Sequence, residues 1–298
     1  MNQEKNEHFK LDGYVHTLSV TSEGIIETIP DELALQVETR SHTSGDTVRT
    51  STKINPNKRS TGNVLCYSEL LTEVEHIMQT CGVHAYQYNR CDFSLNSYDP
   101  EHYERYLKLY RLLISMVSCA YGIENTYITH DLWEVDRVRS IAIKNRSIET
   151  ESYDKALESH GSSDVYSRLE IRSKRIEDKE PDREFCETWK KRFEKAMKAF
   201  QETQDGYNAQ LFRIYQKYKD ARPVRFRCLT DFILQYQDVI FTRRQLIGLL
   251  SMFPEEVPDP VKRAKSIKRH YGIEFFSKKD LENAIGEIMA GVEAYFSC

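Results

Sequence analysis

The sequence predicts an α+β fold, an antiparallel sheet with helices on one face, followed by an all-α C-terminal domain. Three observations predict it. Short segments of period-two alternation, rich in β-branched residues, recur between Tyr14 and Lys174. Helical patterns with capping signals interrupt them after Tyr67 and after Asp99. Beyond Pro181 the strand signals vanish and apolar stripes of helical period take over. The implied organisation is an α+β domain over 1–180, a linking helix over 181–222 and a helical domain over 223–298.

Tyr14 to Thr21 and Leu33 to Glu38 alternate and read as strands. Arg40 to Lys58, rich in Ser, Thr, Gly and Asn, reads as a loop or as an edge hairpin around Ser44-Gly45-Asp46. Val64 to Tyr67 reads as a short strand, and Ser68 as the cap of a helix with Leu71, Val74, Ile77 and Met78 on its apolar face, ended by Gly82. Tyr86 to Leu95 alternates again. Asp99-Pro100 opens the clearest helix, whose stripe is Tyr103, Leu107, Tyr110, Ile114, Val117 and Tyr121. Strands are expected at 126–128, 139–144, 148–155 and 165–174, with a loop at 160–164. Arg183 to Tyr218 is a long charged helical run broken by Arg222-Pro223. Its stripe through Trp189, Phe193, Met197 and Phe200 suits core or a dimer contact. Thr242 and Ser277 each begin capping-box spacings, and Asp259-Pro260 opens a helix closed by Gly272.

Of the 298 residues 40% are hydrophobic and 30% charged, enough for a large core and a solvated surface. No apolar run approaches the ~20 residues of a membrane span, and the polar start has no secretory signal pattern. Seven dispersed cysteines without CxxC spacing argue against a disulfide scaffold or zinc finger and for the cytoplasm. From Pro181 onward 21 Lys/Arg face 17 Asp/Glu, whereas the first 180 residues hold 21 against 29. An acidic front and a basic back suit a catalytic module followed by one that grips a polyanion. P-loop, GxGxxG, GxSxG and HExxH motifs are absent, so helicase and polymerase activities fall to partners.

Residues two apart on a strand share a face. On that rule Tyr88, Arg90, Asp92 and Ser94 lie together, as do Glu149, Glu151 and Tyr153, and Arg168, Glu170 and Arg172. If these strands pair, Asp92, Glu170 and Glu149 or Glu151 converge. Clustered carboxylates call for a hard cation, Mg²⁺ or Mn²⁺, and a nearby tyrosine then serves as nucleophile on a phosphodiester. An antiparallel sheet also carries charges on its solvated face without any function, and both readings stay open at this point. The helix from Val261 to His270 carries Lys262, Arg263, Lys265, Lys268 and Arg269, and Arg243-Arg244 opens the helix before it. This pattern is compatible with helices that read a duplex groove and equally with a solvated bundle face.

The order Arg90-Cys91-Asp92-Phe93-Ser94-Leu95, then Ser152-Tyr153-Asp154-Lys155-Ala156-Leu157-Glu158, then Ser167-Arg168-Leu169-Glu170-Ile171-Arg172 resembles the tyrosine-dependent replication initiators of rolling-circle plasmids, with the related relaxases of integrative conjugative elements. The likeness covers roughly residues 60 to 175. It implies an HUH-nuclease-like sheet and a metal-dependent DNA endonuclease that leaves a 5′-phosphotyrosine and a priming 3′-OH. It implies Asp92 and Glu170 as ligands of Mg or Mn, and Arg90, Arg168 and Arg172 as phosphate or structural partners, with Lys155 neutralising phosphate. DNA contacts are expected from Arg90, Lys155, Arg172, Arg243, Arg244, Lys265, Lys268 and Arg269. Two departures stand out. The His-hydrophobic-His pair of many related nucleases is missing, leaving His84 or His130 as guesses. The strand before Tyr153 lacks a tyrosine where some relatives have one. Tyr153, which shares a face with Glu151 as its base, is the preferred nucleophile, and Tyr166 the alternative. The expected partners are origin DNA, a host helicase and polymerase, and a second copy of the chain. A relaxase, a non-enzymatic DNA-binding regulator and an RNA-binding sheet with Tyr88 and Tyr153 as stacking platforms are the competing readings.

Overall fold

The structure, a computed structural model, describes residues 12–58, 64–101, 103–123, 126–130, 138–161, 164–176, 181–202, 204–221, 228–236, 240, 242–273 and 275–297. Expectations for Ser162-Ser163 and Arg222-Pro223 lie outside the described residues, as do the side chains of His130 and Phe200.

Eight strands form one sheet: β1 (Asp12–Glu23), β2 (Val37–Ser44), β3 (Thr47–Ile54), β4 (Tyr86–Ser97), β5 (Thr126–His130), β6 (Val138–Lys144), β7 (Ile148–Asp154) and β8 (Ser167–Ser173), in the order β2-β3-β1-β4-β8-β7-β6-β5. Every pair is antiparallel. After β4 the chain passes through α2 (Tyr103–Ala120) to the far edge, and β5 to β8 then meander back until β8 closes on β4. That return brings the Arg90–Leu95 strand, the Tyr153 strand and the Arg168–Arg172 strand side by side. The 40–58 stretch is the edge hairpin β2–β3, turning at Gly45-Asp46, followed by a 3-10 turn at Pro56–Lys58.

Several boundaries differ from the sequence reading. Residues 31–33 form one turn of 3-10 helix, with Leu33 N donating to Pro30 O at 2.9 Å, and the strand begins only at Val37. Residues 64–66 are not a strand. Helix α1 (Tyr67–Thr80) is capped at Cys66, whose N–H donates to Glu69 Oε2 at 3.0 Å, so Ser68 is inside the helix. Its buried face is Tyr67, Leu70, Val74, Ile77 and Met78, with Leu71 at the margin. Asp99 makes a turn ahead of α2 by accepting from Glu101 N at 2.7 Å. Strand β7 ends at Asp154, whose carboxylate caps the short α3 (Lys155–Glu158) through Leu157 N at 2.8 Å.

Helices α4 (Pro181–Glu202), α5 (Gln204–Asp220), α6 (Leu229–Gln235), α7 (Arg243–Ser251), α8 (Pro260–Tyr271) and α9 (Lys278–Phe296) follow. The caps expected at Thr242, Asp259 and Ser277 all form, and Gly272 ends α8 with φ +65°, a conformation that favours glycine. One face of the sheet takes the helices. α2 lies over β6, β7 and β8, while α4 packs on β4 and α9 on β1 and β4. Phe93 of β4, fully buried, meets Phe185 of α4 at 6.0 Å between ring centroids and Tyr295 and Phe296 of α9 at 5.5 and 5.8 Å. Trp189, Phe193 and Met197 are buried in the same core, so this part of the α4 stripe is intramolecular packing. Residues 180 and 222, where boundaries are expected, lie outside the described residues, and α4 and α9 pack into the same core as the sheet. The physical reason is that the apolar face of the sheet is broader than α1 and α2 can cover, and α4 and α9 bury the rest.

Candidate functional site

The other face of the central strands is polar, and its arrangement follows from register. Arg172 lies opposite Asp92 on β4 and Glu149 on β7. Glu170 lies opposite Ser94 and Glu151, and Arg168 opposite Asn96 and Tyr153. On β6, Ser140, Ala142 and Lys144 complete the face opposite Tyr153, Glu151 and Glu149. Asp92, Arg168 and Glu170 are 4%, 8% and 6% exposed, although no glycine-rich loop or motif marks them as interior. Arg168 and Glu170 line a hollow of about 480 Å³ together with His16, Ser140, Glu151, Tyr153, Lys155, Glu158 and Arg172.

At its centre the Tyr153 hydroxyl donates to Glu170 Oε1 at 2.8 Å. Arg168 Nη1 reaches the same hydroxyl at 3.4 Å. Arg168 is itself held by Asn96 Oδ1 at 2.8 Å and by the Tyr14 hydroxyl at 3.2 Å. Lys155, brought round by the Asp154 cap, sets its ammonium 5.8 Å from the Tyr153 ring centroid and pairs with Glu158. Arg90 holds Asp92 with two bonds of 2.7 Å. Arg172 bonds Glu149 at 2.5 Å and also pairs closely with Glu170, while Asp92 and Glu151 lie 3.8 and 3.9 Å away.

Burial, reinforced by the Glu170 charge and only partly offset by Arg168, holds the Tyr153 phenol well above its ordinary range. Burial alone would raise the Glu170 carboxyl, but Arg172 and further contacts from His16 and Tyr153 bring it below the usual value. Glu149 is drawn against burial to about 2 by Lys174, Arg172 and Lys144. Glu151 is raised, chiefly by burial. The Tyr153 proton therefore faces Glu170 and not Glu151, correcting the expected base. Both shifts oppose that transfer at rest, so Glu170 takes the proton only as the Tyr153 oxygen bonds to phosphorus, where Arg168 can face the charge that develops on the attacked phosphate.

Two β-bulges decide which side chains reach this face. Between Val15↔Phe93 and Thr17↔Asp92 the extra residue is His16, which the bulge turns into the hollow. Its Nδ1 is 2.9 Å from Thr17 Oγ1, and burial lowers its pKa despite the nearby Glu170. Sequence reading missed it, because strict alternation sends His16 to the opposite face from Thr17. The exposed His84 lies in the turn before β4, outside the hollow. The second bulge, between Ser19↔Arg90 and Val20↔Tyr88, falls at Asn89. Tyr88 consequently sits with the buried Val20, edge-on to Tyr86 at 5.8 Å, and is removed from the polar face. The stacking role expected for it does not survive. Tyr166 also stays out of the hollow. It precedes β8 and its ring packs 5.5 Å from Tyr103 of α2.

Beside the hollow runs a groove of about 550 Å³ lined by Ser19, Glu38, Arg40, Ser51, Lys53, Asn89, Arg90, Arg146 and Lys174. Five of these are cations. Arg243, Arg244, Lys265, Lys268 and Arg269 are exposed on α7 and α8, which pack on each other and, through α7, on α5. They belong to a separate basic surface.

The expected Mg²⁺ or Mn²⁺ does not fit this donor set. Both oxygens of Asp92 are engaged by Arg90, and those of Glu170 by Tyr153 and Arg172. Among the described residues no three or more His, Cys, Asp or Glu side chains are grouped to hold a metal ion. No helix among them is long and apolar enough to cross a membrane.

No family model matches the chain, and no curated protein matches it. Among solved structures the chain is similar to a rolling circle replication initiator protein from Geobacillus stearothermophilus. The two are 11% identical, with a TM-score of 0.32, over 56% of this chain and 75% of that one. At that distance the likeness assigns no residue a role.

Proposed function

We propose that the chain is a DNA strand-cleaving protein of the replication-initiation kind, with Tyr153 as the nucleophile. The observation that carries the reading is the Tyr153 hydroxyl donating to Glu170 beside Arg168, in a hollow open to solvent. The Tyr153 oxygen attacks phosphorus and the bond from phosphorus to the 3′ oxygen breaks. The phenol proton passes to Glu170, and the departing 3′ oxygen takes a proton from solvent. Arg168 stabilises charge on the phosphate oxygens. The products are a 5′-phosphotyrosine, which stores the bond energy for rejoining, and a 3′-OH able to prime synthesis. The cationic groove at Arg40, Lys53, Arg90, Arg146 and Lys174 holds flanking phosphates, and the basic face of α8 contacts duplex. Unwinding and synthesis fall to a host helicase and polymerase. Initiation and conjugative transfer use the same chemistry, and the origin sequence distinguishes them.

The test is a covalent adduct. Purified protein is incubated with a pool of single-stranded oligonucleotides, with and without Mn²⁺, and resolved on a denaturing gel with peptide mapping. An adduct on Tyr153 that disappears in Tyr153→Phe supports the reading. An adduct on another tyrosine moves the site. A second reading, a non-enzymatic DNA-binding regulator, is favoured by the way Arg90 and Arg172 already neutralise Asp92 and Glu170. Salt-sensitive duplex binding with no adduct on the cognate origin strand would establish it instead.

A further inference from the structure

We infer that Arg172 is the resident cation of the polar hollow. Its guanidinium fills the place among Asp92, Glu149, Glu151 and Glu170 that a divalent metal would need, and the hollow binds no such metal of its own. The inference rests on the geometry of the polar face and stands or falls apart from the assignment of Tyr153.

Register creates the arrangement. Arg172 has Asp92 opposite on one neighbouring strand and Glu149 opposite on the other. Glu170 is two residues back on its own strand, and Glu151 is the diagonal neighbour, opposite Glu170. All four carboxylates come within 4.0 Å of the guanidinium nitrogens. A planar guanidinium with five N–H donors can divide itself among several carboxylates, which a spherical cation cannot do at these positions. Mg²⁺ demands a near-octahedral shell at about 2.0–2.1 Å from oxygen, whereas here the oxygens are turned toward nitrogen donors spread across three strands. The Arg172 side chain is 18% exposed, so entry of a metal would require it to leave a largely buried position and abandon its partners. The remaining charge is also accounted for. Arg90 takes Asp92, and Lys144 and Lys174 take Glu149. A further divalent cation would meet a face already balanced by side chains.

The experiment uses the full chain with Mn²⁺ or Mg²⁺ as probe and no DNA. Free Mn²⁺ is followed by its electron paramagnetic resonance signal during titration, and the melting temperature is recorded with metal and with EDTA. A ligand that binds the native state raises the melting temperature. The wild type is expected to show no saturable Mn²⁺ binding at millimolar metal and no shift between metal and EDTA. Arg172→Gln is expected to gain a saturable site, because Glu170 and Glu151 lose the guanidinium they share, and the further change Glu170→Gln is expected to weaken that site at least tenfold. Saturable binding by the wild type that is lost in Asp92→Asn or Glu170→Gln would overturn the inference. Should Arg172→Gln fail to fold, the wild-type titration and melting pair still decide the matter, since a metal-dependent rise abolished by Asp92→Asn refutes it and an unchanged melting temperature supports it.

Discussion

Replacing Arg172 by Gln removes a guanidinium shared by four carboxylates; Asp92 keeps Arg90 and Glu149 keeps its lysines, but Glu170 is left facing Glu151 across the strands. Breaking a buried ion pair from one side costs about 3–5 kcal/mol. Arg172 is 18% exposed and Glu149 keeps Lys144 and Lys174, so the lower end, about 3 kcal/mol, is expected here. For a chain of this size that is a fall in melting temperature of roughly 5 °C. The loss should depend on pH in a definite direction. In the wild type Glu149 is held at about 2, below its ordinary 4.5, and Glu170 is lowered as well. Their contribution is complete above about pH 4.5 and fades as the pH falls toward 2. In the variant Glu149 keeps Lys144 and Lys174, whereas burial and the neighbouring Glu151 push the Glu170 carboxyl up, so Glu170 opposes folding at neutral pH and ceases to do so once protonated. The gap between the two proteins should therefore narrow steadily below about pH 4.5. Urea unfolding followed by far-ultraviolet circular dichroism at pH 7 and at pH 4 measures it. A loss below about 1 kcal/mol at pH 7, or a gap that widens in acid, would refute the reasoning.

Tyr153→Phe should abolish the covalent adduct while costing about 1.5–3 kcal/mol, the worth of a hydroxyl bonded to a charged group; adduct gels and urea melts report the two effects separately. Phe93→Ala should cost about 3–5 kcal/mol, and because α4 and α9 both pack against its ring, calorimetry should show one transition moved down and no intact C-terminal unit left behind. Charge reversal at Lys265, Lys268 and Arg269 should leave the fold unchanged, since all three are exposed. It should flatten the plot of log affinity for duplex against log salt by about 0.9 for each phosphate no longer neutralised, as read by fluorescence anisotropy. An unchanged slope would place duplex binding elsewhere.

The helix caps at Thr242, Asp259 and Ser277 are local hydrogen-bonding devices, complete within four residues, and are legible for that reason. The same holds for the alternation of β4, β7 and β8, which already separates Phe93, Leu95, Leu169 and Ile171 from Asp92, Glu170 and Arg172. Where alternation is interrupted it misleads. The bulges at His16 and Asn89 each shift the phase by one residue, bringing a histidine into the hollow and taking Tyr88 out of it. Nothing local to either residue announces this, because a bulge is a property of two paired strands. The fate of the C-terminal helices was hidden for a similar reason. An apolar stripe at Trp189 and Phe193 states that something must cover it, and only assembly of the sheet makes that partner Phe93 and its neighbours. The sequence by itself thus determined the two classes of element, their faces and the set of charged residues that share the polar one. The tertiary structure alone decided which charges touch. The meander returning β8 to β4 placed one arginine among four carboxylates, and pairwise electrostatics depends on distances across strands that are far apart in the chain.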